Sequence, residues 1–175
     1  SPGCTLNRAQ KLRIVEALQS LGVDVIEAGY PNASEDDFDA VQSIARNIRD
    51  SRICGLARCN EADIRATAAA LKDAAQARIH VFIASSPIHR EMKLRMGKAE
   101  VIERAIAGVR QARALCADVE FSAEDAMRTE PEFLTLVANV AVEAGATTIN
   151  IPDTVGYAIP EEFAETIGWI VAEVG

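Results

Sequence analysis

The sequence alternates regularly between amphipathic stretches with the period of an α-helix and short apolar stretches typical of buried strands. The order is α-β-α-β-α-β-α-β-α-β-α. Segments such as VDVIEAG and RIHVFIAS predict strands, and segments such as NRAQKLRIVEALQSLG predict helices between them. Apolar strands separated by amphipathic helices indicate a parallel sheet covered by helices.

Two architectures fit this order. A doubly wound sheet usually carries a glycine-rich phosphate loop after its first strand, and the sequence contains neither G-x-G-x-x-G nor a Walker motif. The alternative is a (β/α)8 barrel, which needs eight strands. We therefore predict an α/β fold: a partial TIM barrel of about five parallel strands with alternating helices, its first and last strands missing. Residues 1–175 are expected to form a single barrel fragment.

Composition limits the kinds of partner. Apolar residues make up 49% of the chain, enough for a real core, and the formal net charge is −8. An acidic chain argues against nucleic acid or an anionic membrane as the partner, but not against an anionic small substrate. No stretch reaches the length of a membrane span, and no signal peptide is evident.

The four cysteines, Cys4, Cys54, Cys59 and Cys116, form no C-x-x-C pair, and no histidine is spaced to complete a zinc site with them. We interpret them as reduced thiols of a cytoplasmic protein.

Polar residues follow each predicted strand, where parallel βα proteins gather their functional groups. The fourth strand ends in the sequence FSAED, with Ser122 two positions before Glu124. In an extended strand these two side chains share one face, whereas Asp125 points away. Ser122 and Glu124 are therefore the leading site candidates on this strand.

Structural explanations compete with several of these assignments. Glu124 could serve only as an acidic residue at a helix N-terminus, and Thr154 could cap a turn. Arg58 could pair with Glu27 across neighbouring strands. His80 lies early in its strand, which favours a core histidine at the structural end of the sheet.

Five segments together resemble the metal-dependent Claisen-condensing TIM-barrel enzymes, the 2-isopropylmalate synthases with homocitrate and citramalate synthases. The segments are SPGCTLN, GVDVIEAGYP, RIHVFIASSPIH, DVEFSAEDAMRT and GATTINIPDTVGY. The similarity covers essentially the whole chain, and INIPDTVGY and SPIH followed by KLRM are closest to the isopropylmalate branch.

The resemblance implies a condensation in leucine biosynthesis. The methyl group of acetyl-CoA attacks the ketone of 2-oxoisovalerate, and hydrolysis of the thioester follows. In this family a divalent metal, magnesium or manganese or else zinc, polarises the ketone as a Lewis acid.

The resemblance also assigns residues to the site. Glu124 is implied as the catalytic residue near the reacting ketone. Ser122 lies at the substrate, Thr154 lies beside its carboxylate, and Pro152 and Leu56 line the pocket.

The direct metal ligands of the family are not carried over. The family supplies them from an R-D-G-E-Q motif and an H-x-H pair, and neither motif occurs in this sequence. We therefore expect no metal ligand among the residues of this chain, and no turnover by the chain alone. An arc with two open edges is expected to associate with itself, to pair with the missing part of the enzyme or to be only marginally stable. Among these, we predict a homo-oligomer.

Two alternatives stay open at this point. The chain could come from a homocitrate or citramalate synthase, which would differ in the size of the oxoacid pocket. It could also be a noncatalytic α/β module that works by association through its sheet edge.

Overall fold

The described part of the chain forms a five-stranded parallel sheet covered by helices. The computed structural model describes residues 7–84, 97–124 and 130–150. The helices are α1 (Arg8–Ser20), α2 (Glu35–Asn47), α3 (Glu61–Ala70), α4 (Lys98–Leu115) and α5 (Pro131–Ala144). The strands are β1 (Val25–Gly29), β2 (Arg52–Arg58), β3 (Ala77–Ala84), β4 (Val119–Glu124) and β5 (Thr148–Asn150). A short 3-10 helix, Pro31–Ala33, follows β1 and was not predicted.

The strand order decides between the two predicted architectures. All four neighbouring pairs are parallel, and the order is β1-β2-β3-β4-β5. A doubly wound sheet reverses its strand order at a switch point, whereas consecutive order is that of a barrel wall. The predicted partial barrel is therefore confirmed, with five of the eight strands that a complete barrel has. The predicted last helix lies outside the described residues.

Local signals in the sequence explain where the helices begin and end. The Ser34 side chain accepts a hydrogen bond from the Asp37 backbone N–H at the start of α2, and Asn60 does the same for Asp63 at the start of α3. Gly145 ends α5 with a φ of 123°, a backbone conformation that favours glycine. These caps fix the residues at which the helices begin and end.

The hydrophobic core lies between the helices and one face of the sheet. Its largest fully buried members include Ile53 of β2, Ile79 of β3 and Phe121 of β4. Each belongs to the alternate residues of its strand that face the helices. Because strand side chains alternate between faces, the residues between them point to the opposite, inner face. Within the described ranges, every helix is too short or too polar to cross a membrane.

Candidate active site

The inner face of the sheet is polar over three neighbouring strands. Register pairs His80 of β3 with Leu56 of β2 and with Glu120 of β4. One step further along the strands, Ser122 pairs with Phe82 and with Asn150. Polar side chains thus line the face that would form the interior of a barrel.

Two predicted site residues lie on this polar inner face. Ser122 is buried, and its Oγ atom lies 2.7 Å from Nε2 of His80. Leu56 is half-buried and is the register neighbour of His80. His80 therefore lies between the strand that carries Leu56 and the strand that carries Ser122. The structure brings these three residues together on one face.

Glu124 lies two residues beyond Ser122, at the carboxyl end of β4 and half-buried. It shares the face of Ser122, as the alternation along the strand predicts. Thr154 and Pro152, the other two predicted substrate residues, lie outside the described residues.

The sequence position of His80 predicts a histidine that only fills the core, but the structure also gives its side chain a polar partner. Its side chain is 11% exposed, lies on the inner face and contacts Ser122. No spacing in the sequence indicates this contact, because the two residues are 42 positions apart. The alternation of faces along two adjacent parallel strands is the signal that could have found it.

The pairing suggested for Arg58 is wrong. Arg58 does not pair with Glu27 but with Asp63 of α3, with Nε 2.9 Å from Oδ2. Tyr30 and Asn32 also donate hydrogen bonds to the Asp63 carboxylate. The partner lies five residues along the chain, at the start of α3, rather than on the neighbouring strand.

Asp63 is the charged centre of this cluster at the carboxyl edge. Its side chain is 1% exposed. Burial by itself would raise the pKa of Asp63, but the hydrogen bonds from Arg58, Tyr30 and Asn32 outweigh it and lower the pKa to about 2. The hydrogen bond to Asp63 in turn raises the pKa of Arg58. The cluster fixes the segment after β1 to the end of β2.

A second polar layer lies deeper on the inner face, toward the amino ends of the strands. Ligand atoms of Cys54, His80 and Glu120 all lie within 4.8 Å of one another. Burial, together with the negative charges of Glu120 and Glu27, raises the pKa of the Cys54 thiol well above its usual range. The spacing of cysteines along the sequence did not predict that these three side chains meet, because they lie on three different strands.

The cysteines of the described residues are unpaired. Cys54 and Cys59 are buried thiols, and Cys116 is partly exposed. This agrees with the prediction of reduced thiols for these three positions.

Comparison with known proteins identifies relatives over the whole chain. The sequence model of a family described as HMGL-like matches residues 1–175. The chain is 60% identical over 162 residues to the 2-isopropylmalate synthase of Rhodopirellula baltica, covering 93% of this chain and 31% of that protein. It is 54% identical over 174 residues to the 2-isopropylmalate synthase of Methylococcus capsulatus, covering 99% and 34%. The chain thus spans about a third of the length of these relatives.

Solved structures agree on the fold. A hydroxymethylglutaryl-CoA lyase from Pseudomonas aeruginosa matches with a TM-score of 0.74 at 20% identity, over 98% of this chain and 59% of that one. The corresponding lyase from Brucella melitensis matches with a TM-score of 0.72 at 20% identity, over 99% and 63%. At this identity the likeness concerns the fold alone.

Proposed function

We propose that this chain, which belongs to the HMGL-like family, forms part of the catalytic barrel of a 2-isopropylmalate synthase. The reaction joins acetyl-CoA to 2-oxoisovalerate, an acyl transfer in which the acyl group becomes an alkyl group. The observation that carries this proposal is the identity of 50–60% to relatives bearing that name, over at least 91% of this chain.

The inner face near the carboxyl ends of β2 to β4 is the proposed substrate wall. Leu56 offers an apolar side chain for the isopropyl group of the oxoacid. Ser122 offers a hydroxyl group two strands away, and its contact with His80 fixes the position of both side chains. Thr154 and Pro152 complete this wall in the proposal, Thr154 beside the substrate carboxylate.

Glu124 is the proposed catalytic residue. In the condensation the methyl group of acetyl-CoA loses a proton and forms a carbon–carbon bond to the ketone carbon, and the ketone oxygen gains a proton. Water then hydrolyses the thioester and releases CoA. The position of this carboxyl group at the end of β4, on the same face as Ser122, supports a role in proton transfer at the ketone oxygen.

The family's divalent metal, magnesium, manganese or zinc, would polarise the ketone when bound. The described residues at the carboxyl edge do not fit such an ion. The Asp63 carboxylate already accepts hydrogen bonds from Arg58, Tyr30 and Asn32. Within the described ranges, the side chains close enough together to hold a metal lie deeper on the inner face, at Cys54, His80 and Glu120.

We also propose the partners, the oligomeric state and the cellular compartment of the protein. Its small-molecule partners are 2-oxoisovalerate and acetyl-CoA, and it acts as a homo-oligomer in the cytoplasm. Free thiols at Cys54, Cys59 and Cys116 are consistent with a reducing compartment.

A chimeric enzyme tests this function. The part of this chain that aligns with the Methylococcus capsulatus 2-isopropylmalate synthase over 174 residues replaces the matching segment of that enzyme. CoA release is then measured with acetyl-CoA and each of three oxoacids. We expect turnover with 2-oxoisovalerate and at least tenfold lower kcat/KM with pyruvate or 2-oxoglutarate. A preference for pyruvate would assign the chain to citramalate synthesis, and one for 2-oxoglutarate to homocitrate synthesis. A folded chimera without turnover on any of the three would contradict the proposal.

A further inference from the structure

Three side chains with strong affinity for metals meet on the inner face, on the amino-terminal side of the proposed substrate wall, which they adjoin where His80 contacts Ser122. Cys54 is in the middle of β2, His80 in the middle of β3 and Glu120 near the start of β4. A sulfur, a ring nitrogen and a carboxylate oxygen lie within 4.8 Å of one another. Cys54 and Glu120 are buried, and the His80 side chain is 11% exposed.

The hydrogen bonds around these side chains orient them toward each other. Nε2 of His80 is engaged with Oγ of Ser122 at 2.7 Å, which leaves Nδ1 on the side of Glu120, 3.6 Å from its Oε2 atom. A metal-bound histidine usually uses its second ring nitrogen in such a hydrogen bond, which fixes the ring orientation.

Glu120 is held in the same way. Its Oε1 atom accepts from Arg78 at 3.4 Å, and its Oε2 atom accepts from Asn150 at 3.0 Å. Hydrogen-bonded carboxylates are typical of metal ligands. Arg78 also pairs with Asp118 at 3.0 Å, and Asp118 pairs with Arg52 as well. The charges of these two arginines are balanced by those of Asp118 and Glu120, so the site carries no net positive charge that would exclude a cation.

We propose that Cys54, His80 and Glu120 bind a zinc ion that joins β2, β3 and β4 on the inner face. Thiolate, imidazole and carboxylate are the three ligand types that zinc takes, and three of them leave one tetrahedral position for water or another group. Binding exchanges the Sγ–H bond of Cys54 for a bond from Sγ to the metal, and the proton leaves to solvent.

This site is separate from the carboxyl edge where Glu124 lies. Glu120 and Glu124 are four residues apart on one strand, which corresponds to about 13 Å. The ligand set also contains a cysteine, which the metal-binding motifs implied by the family resemblance do not. The proposal therefore goes beyond the proposed condensation.

Cobalt provides the direct test, because a thiolate bound to Co²⁺ gives a charge-transfer absorption band in the near ultraviolet that carboxylate and imidazole ligands do not give. We expect the 175-residue chain, under reducing conditions, to develop this band with added CoCl₂ and to lose it when ZnCl₂ displaces the cobalt. The band should disappear in Cys54→Ser. It should persist in the matched controls Cys4→Ser, Cys59→Ser and Cys116→Ser.

The two other ligands are tested by affinity rather than by the presence of the band. Glu120→Gln and His80→Gln should each weaken cobalt binding by at least tenfold, and Ser122→Ala by about tenfold, because it removes a group that orients His80. ZnCl₂ should raise the midpoint of thermal unfolding of the parent chain and leave that of Cys54→Ser unchanged. Absence of the band in the parent chain, or its persistence in Cys54→Ser, would overturn the proposal.

Discussion

At the scale of single residues, the central feature is a carboxyl group at the end of β4. Glu124 shares a strand face with Ser122, which is buried against His80. This placement is the basis of the proton-transfer role proposed for Glu124. A positioned carboxyl group contributes about 100-fold or more to such a step.

Glu124→Gln in the chimera keeps the shape of the side chain but removes its ability to exchange a proton. We expect kcat to fall by about 100-fold or more while KM for 2-oxoisovalerate changes little. Steady-state kinetics measures both values. Glu103→Gln, on the exposed face of α4, is the control and should match the parent. If both variants match the parent, Glu124 is not catalytic.

Asp63 predicts how stability depends on pH. Its pKa in the folded chain is about 2, below the value of about 4 expected in the unfolded chain. The ionised carboxylate therefore stabilises the fold above pH ~4, and up to about 2 kcal/mol of this is lost as the pH falls through that interval toward ~2.

Asp63→Asn removes this titration and tests the prediction. Urea denaturation near neutral pH should show a loss of about 2 kcal/mol relative to the parent, and the difference should shrink as the pH falls below ~4. Asp73→Asn removes an exposed ion pair with Arg46 and should differ from the parent by less than about 0.5 kcal/mol at every pH. A difference for Asp63→Asn that does not vary with pH would contradict the assigned pKa.

Residue contacts were only partly predictable. Ser122 and Glu124 follow from alternation within one strand, which local sequence encodes. The contact of Ser122 with His80 and the pairing of Arg58 with Asp63 depend on register and on where a helix begins. Those features are set by packing between elements, so spacing along the chain does not reveal them.

At the scale of elements, β2 and α3 approach each other at a glycine. A methyl group on Gly55 would lie 2.7 Å from Cγ2 of Thr67 and 3.2 Å from Cδ1 of Leu71. Both neighbours are buried in the layer between α3 and the sheet. The close approach therefore requires a residue without a side chain at this position.

Gly55→Ala should lower the free energy of unfolding by about 1–3 kcal/mol, because the strand and the helix must move apart. Chemical denaturation of the 175-residue chain measures the change. Gly97→Ser is the matched control, since its Cβ would meet nothing within 4 Å and its hydroxyl can cap α4. Equal stability of Gly55→Ala and the parent would mean that the packing between β2 and α3 is looser than described.

The elements themselves were largely predictable. Every described α-helix and strand was predicted, because periods of 3.6 and 2 residues and caps such as Ser34 and Asn60 are local signals. The 3-10 helix Pro31–Ala33 was missed, since its position depends on the hydrogen bonds of Tyr30 and Asn32 to Asp63 in another element.

At the scale of the whole molecule, the described sheet has two open edges. β1 pairs only with β2 and β5 only with β4 among the described strands. Unpaired strand edges favour association with another chain. The α/β alternation predicted about five parallel strands but left a doubly wound sheet and a barrel both open. The consecutive order, without a switch point among the described strands, required the structure.

Self-association of the 175-residue chain is the expected consequence, measured by light scattering as a mass above that of the monomer. Val25→Lys places a charge on the edge strand β1 and should weaken association. Leu18→Lys on α1 changes a side chain of nearly equal exposure, 37% against 38%, and should have little effect. A folded monomer with native-like circular dichroism would contradict the expectation.

The proposed function depends above all on binding of the oxoacid to the inner face near the carboxyl ends of the strands. Isothermal titration of 2-oxoisovalerate into the chimera with Mg²⁺ present measures the affinity, and Leu56→Ala and Ser122→Ala probe the wall. We predict that each substitution weakens binding by roughly tenfold, a loss of about 1.4 kcal/mol, while Leu136→Ala on the exposed face of α5 has no effect. Unchanged affinity in both wall variants would contradict the proposed substrate site.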